Sequence, residues 1–150
     1  MELKKLVVDS KSAWIEFPGL DGFEVEVVNL SRKELQIIRK KCTTSKFSRK
    51  TRQIEESLDE EKFVEAFAEK SVKGWKGLTL GHLETLLLID TKGQDLAKDV
   101  PYTTDNAEVL VTESNEFDTW LNEVVFDLDN FRSGTEGKVH SKTGAASQKS

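Results

Sequence analysis

Apolar and acidic side chains nearly alternate along Trp14-Ile15-Glu16-Phe17 and again along Phe23-Glu24-Val25-Glu26-Val27. A period of two with one buried face is the signature of a strand. Between the runs lies Pro18-Gly19-Leu20-Asp21-Gly22, whose proline and glycines suit a reversing loop. Residues 13 to 28 therefore predict a β-hairpin, with residues 3 to 8 as a candidate third strand.

From Ser31 the period lengthens. Ser31-Arg32-Lys33-Glu34 places a hydroxyl three residues before a glutamate, the spacing with which two side chains satisfy free N–H groups at a helix start. A helix over about 32–42 follows, with Leu35 and Ile38 on one face. Residues 43–52 are rich in Thr, Ser and basic side chains without periodicity, and read as a loop. Asp59 is placed to cap a helix over 60–72 whose buried stripe is Phe63, Val64, Phe67 and Ala68. Gly74 and Gly77 stop that helix and bracket Trp75 in a tight loop. Leu78 to Ile89 suits either a buried helix or a strand, and Thr79 as a cap favours the helix. Thr91-Lys92-Gly93 makes a turn. After Pro101-Tyr102, Thr104 or Asp105 can cap a short helix containing Ala107, Val109, Leu110 and Val111. Phe117, Trp120, Leu121, Val124, Val125, Leu128 and Phe131 then keep three-four spacing over four turns, with Asp118, Glu123, Asp127 and Asp129 opposite.

The expected fold is thus α+β. An N-terminal hairpin region, 1–30, packs on a mostly helical part, 31–132. From Ser133 to Ser150 small and polar residues dominate, which predicts a disordered tail.

Composition narrows the chemistry. The chain has 150 residues, enough for one core. Its longest apolar run, Leu86-Leu87-Leu88-Ile89, is far below the roughly 20 residues of a membrane span, and the N-terminus lacks the apolar region of a secretory signal. One cysteine, Cys42, and two histidines, His82 and His140, do not make a zinc site or a nucleophile–base–orienter set. Asp127-Leu128-Asp129 lacks the later ligands of a calcium loop, and the scattered glycines form no phosphate or dinucleotide fingerprint. The expectation is a non-enzymatic protein without cofactor or metal, working in the cytoplasm. His82 reads as a packed or half-exposed structural residue.

Residues 39–52 hold seven lysines and arginines and no acid, followed by Glu55, Glu56, Asp59, Glu60 and Glu61. Lys40, Lys41, Lys46, Arg49, Lys50 and Arg52 are the candidate contacts for a nucleic acid or acidic partner. A net charge of −5 and only Phe47 for stacking favour a solvated loop instead, and nucleic acid is disfavoured as a partner.

Aromatic positions carry more. Trp75, Phe117 and Trp120 suit core anchors, but four apolar stripes in a one-core chain leave surplus surface for a partner. Trp75-Lys76-Gly77-Leu78, Tyr102-Thr103-Thr104-Asp105-Asn106-Ala107, and Phe117 with Trp120 resemble the tail assembly chaperones of long-tailed bacteriophages. The resemblance spans Phe67 to Trp120, about a third of the chain. It implies a protein of the infected host cytoplasm that binds the phage tape measure protein, keeps its helices soluble and recruits tail tube subunits, with self-association left open. In that family a ribosomal frameshift often adds a C-terminal extension, for which 133–150 is the candidate junction. The expected client surface is an apolar groove between helices 60–72 and 115–131, using Phe63, Phe67, Trp75, Tyr102, Phe117, Trp120 and Val124. The alternatives are a minor structural tail or tail-completion protein, and a small nucleic-acid-binding regulator.

Overall fold

The computed structural model describes residues 1–8 and 10–132. The expected tail at 133–150 lies outside the described residues, as does His140. Two strands, β1 (Ser12–Glu16) and β2 (Glu24–Val28), form the expected antiparallel hairpin, with Ile15 opposite Val25. A capping box on Ser31 and Glu34 then starts α1 (Arg32–Lys41). Next come β3 (Thr43–Ser48), β4 (Gln53–Leu58), α2 (Glu60–Ser71), β5 (Val72–Lys76), α3 (Leu80–Leu86), α4 (Thr104–Glu113) and α5 (Asn115–Val125). One face of a three-stranded sheet packs on the helices, while β3 and β4 make a separate two-stranded sheet.

Several expectations change. The third strand of the main sheet is β5, in the order β1-β2-β5, whereas Leu3–Lys5 is a short 3-10 turn. Val72-Lys73-Gly74-Trp75-Lys76 was expected as a helix end and tight loop. It instead pairs antiparallel with β2, Trp75 opposite Val25 and Val72 opposite Val27, across a register shift that accommodates Lys73. Val72 and Trp75 point into the core, and Gly74 lies beside Glu26 and Trp14 on the other face. The part expected to be helical, 31–132, therefore contains three strands. Residues 43–52 are not a loop but most of the β3–β4 hairpin.

Helix ends also move. Thr103, rather than Thr104 or Asp105, caps α4 through its hydroxyl on Asn106 N–H. The apolar stripe running to Phe131 is interrupted at Phe126: α5 ends at Val125, Asp127 caps a 3-10 turn over Leu128–Phe131, and Asn130 Nδ2 donates to the Val124 carbonyl, which also accepts from Asp127 N–H. Asp59 caps α2 and Thr79 caps α3 as expected.

The core forms where the inner sheet face meets α2, α4 and α5. Phe17 is its centre, 4.9 Å from Trp120, 5.7 Å from Phe23 and 5.9 Å from Phe117 between ring centroids. Such packed aromatic pairs add to the free energy of simple burial. Outside, Lys76 lies 4.7 Å over the half-exposed Trp14 ring and pairs with Glu24.

Gly77 joins β5 to α3 with φ +78°, and a Cβ there would stand 1.8 Å from the Gly22 carbonyl oxygen. Gly93 shares that φ but has nothing within 4 Å. Gly93→Ala is expected to cost only the left-handed strain of about 1–2 kcal/mol. Gly77→Ala must in addition push two loops apart, so its melting temperature should fall clearly further in a thermal unfolding scan. Equal shifts would contradict this packing.

Candidate protein-interaction surfaces

The residues of the expected client groove are, for the most part, spent inside. Phe117 is fully buried, and Phe67, Trp75 and Trp120 are each at most 8% exposed. Phe63, Tyr102 and Val124 are partly buried against the same core. The space expected between helices 60–72 and 115–131 is taken by α4, which packs on both α2 and α5. Phe126, at the end of α5, stacks on Phe67 at 6.1 Å, and Arg39 covers Phe63 at 5.1 Å. Among the described residues the three-four stripes of these two helices face each other and their neighbours, apart from Leu128 beyond α5, which is exposed.

What β5 and the 100–107 segment build is a smaller feature. Trp75 Nε1 donates to the Val100 carbonyl at 2.9 Å, and the Tyr102 hydroxyl donates to the Val72 carbonyl at 3.0 Å. The two rings meet edge to face at 5.2 Å. Asn106 Nδ2 donates to the Pro101 carbonyl, fixing the entry to α4. These bonds pull the start of α4 against β5, and an apolar cleft remains between α3 and α4. Trp75, Leu78 and Leu110 line its depth; Leu83, Leu87, Val100, Asn106 and Val109 complete its wall. Val109 is 50% exposed. His82 is half-buried, its Nδ1 3.0 Å from the Gly77 carbonyl oxygen, and its ring stacks on Phe23.

Burial lifts the Tyr102 phenol above its ordinary pKa of 10.0, with the nearby Glu69 and Glu26 carboxylates adding and a Thr104 hydrogen bond opposing.

A second surface carries the basic residues singled out in the sequence, on a strand pair that their pattern did not predict. The β3–β4 hairpin leaves the body between α1 and α2, closed at its base by Asp59 N–H on the Cys42 carbonyl. Cys42 and Leu58 anchor that base, but beyond it nearly every side chain on both faces is exposed. Phe47 pairs across the strands with Ile54, and the two are 61% and 70% exposed. Arg49, Lys50 and Arg52 lie at the tip beyond them, where Arg52 takes a left-handed conformation with φ +59°, and Lys46 stands opposite Glu55 on the ribbon's other face. Lys40 and Lys41 are exposed at the end of α1. The basic candidates thus fall on one arm and its root.

Among the described residues no group of three or more His, Cys, Asp or Glu is placed to hold a metal ion. No helix of the described residues is long and apolar enough to cross a membrane.

Residues 30–141 match the model of the YdaY prophage protein family. The chain belongs to that family. It is a phage-derived protein, and the matched range takes in the arm, the cleft and every helix. The β1–β2 hairpin precedes the YdaY match, although β2 supplies the strand on which β5 pairs. No curated protein and no solved structure matches the chain.

The chain has one tyrosine, so a tyrosinate absorbance titration reads Tyr102 alone. Its midpoint should lie above 10.0 in the folded protein and return to the ordinary value in denaturant. Since the folded pKa is the raised one, ionisation is easier in the unfolded chain, and stability falls as pH climbs past that ordinary value. Tyr102→Phe should cost about 1 kcal/mol through the lost bond to Val72 and should abolish the titration. An unshifted midpoint would mean that the phenol is not held as described.

Proposed function

We propose that this prophage protein is a non-enzymatic tail assembly chaperone, which binds the phage tape measure protein and keeps it soluble in the host cytoplasm until tube subunits assemble. The observation that carries the reading is the meeting of the two short elements on which the chaperone resemblance rests. Trp75-Lys76-Gly77-Leu78 and Tyr102-Thr103-Thr104-Asp105-Asn106-Ala107 lie 24 or more residues apart in the chain, yet they converge on the α3–α4 cleft. Membership of a prophage family supports the setting.

The cleft suits an anchor residue rather than a whole helix. One or two apolar side chains of a client helix fit against Leu83, Leu87 and Val109, while the acidic and basic surface around them keeps the complex dispersed. A long hydrophobic client would then be held at repeated short sites by several chaperone copies. This replaces the continuous groove expected from the apolar stripes.

Coexpression with the tape measure protein of the same prophage is the test. Soluble tape measure should rise with this chain present, and Leu87→Asp at the cleft wall should weaken capture roughly tenfold, the equivalent of about 1.4 kcal/mol, while the far-ultraviolet spectrum stays unchanged. A client equally insoluble with and without the protein would overturn the reading. Mass spectrometry of purified particles should find the chain absent; stoichiometric presence would make it a minor tail subunit instead.

A further inference from the structure

An arm with both faces in water has little reason to persist unpartnered. Two strands alone are marginal in water, and this pair presents an apolar couple, Phe47 and Ile54, at the distal half of the ribbon. Arg49, Lys50 and Arg52 at the tip beyond that couple, and Lys46 opposite Glu55 on the other face, enter no ion pair among the described residues. A partner for the arm therefore needs carboxylates set beside an exposed apolar side chain.

The chain carries such a surface itself. The arm, residues 43–58, holds four cations, Lys46, Arg49, Lys50 and Arg52, and two carboxylates, Glu55 and Glu56, so against a net charge of −5 the rest of the chain bears −7. Across the seam where α2 packs on α4, Glu65 and Glu69 of one helix face Asp105 and Glu108 of the other. Partial burial raises the Glu108 pKa, and repulsion from Glu65, Asp105 and Glu69 raises it further. None of the four is in an ion pair among the described residues. Val109, half exposed beside Glu108, supplies the apolar neighbour.

We propose that the β3–β4 arm of one copy docks on the acidic α2–α4 face of a second copy, its Lys and Arg tip meeting Glu65, Glu69, Asp105 and Glu108. Donor and acceptor are different surfaces, so the contact is heterologous and repeats head to tail into a ring or an open chain. Every internal copy has its arm and its acidic face engaged. Val109 also walls the α3–α4 cleft, so a docked arm and a client side chain compete for it, and the assembly is read with no client present.

Sedimentation velocity of the full chain over a concentration series tests this. At low salt the chain should assemble beyond the monomer, and rising salt should reverse it, because exposed pairs are screened over about 10 Å at 0.1 M. Lys46→Glu with Arg49→Glu and Lys50→Glu should leave a monomer, and so should Glu65→Lys with Glu69→Lys and Glu108→Lys. Mixed in equal amounts, the two variants should assemble again, since each arm then meets a face of opposite charge. Phe47→Ser, which changes no charge and removes no core contact, should weaken assembly on its own. A chain that stays monomeric at every concentration, reversed variants that assemble like the parent, or a mixture that fails to recover would each overturn the proposal. Capture of a DNA duplex by the monomer through the arm would also overturn it, by giving the arm another partner.

Discussion

Everything in this molecule is hung on the pairing of β5 with β2. The N-terminal hairpin alone would be a two-stranded ribbon with a greasy face, marginal in water. By adding Val72 and Trp75 opposite Val27 and Val25, β5 widens it to a sheet broad enough to cover α2, α4 and α5. Because β5 follows α2 without a connecting residue, α2 is fixed by the same contact. Trp75 and Val72 then hold the 100–102 segment through one hydrogen bond each. The α3–α4 cleft exists where it does because a strand of five residues brings both of its walls to the sheet edge.

That strand was the feature least legible in the sequence. Val72-Lys73-Gly74-Trp75-Lys76 has two buried positions separated by a bulge, so its period is broken, and its partner lies more than forty residues away. Where one face is buried by near neighbours, pattern reading did well: the alternation at β1 and β2, the Ser31–Glu34 capping box and the α2 stripe all appear as expected. The β3–β4 arm escaped for the opposite reason. Neither of its faces is buried, so alternation of apolar and polar residues has nothing to record, and Thr and Ser in a basic run read as loop.

The candidate site was legible only in part, and the reason is general to amphipathic helices. Three-four spacing says that Phe67, Phe117 and Trp120 share buried faces, but it does not say what covers them. Here the cover is the chain's own Phe17, Phe23 and Phe126. The apolar side chains left half covered are medium-sized ones, Leu83, Leu87 and Val109. The short elements around Trp75 and Tyr102 meet beside the α3–α4 cleft, through residues that build it rather than rim it.

Charge segregation gives the remaining constraint on how such a protein can work. A basic arm on an otherwise acidic chain would be expected to fold back on its own body if reach allowed, yet its cations form no ion pair there among the described residues. The short base at Cys42 and Asp59 directs the ribbon outward, and the lysines and arginines on it discourage strand-to-strand pairing between arms, since like charges would be brought together. Arm-to-arm contact is thereby penalised while arm-to-body contact is favoured. A surface arranged in this way resists indiscriminate aggregation and still offers Phe47 and Ile54 to an acidic counterpart.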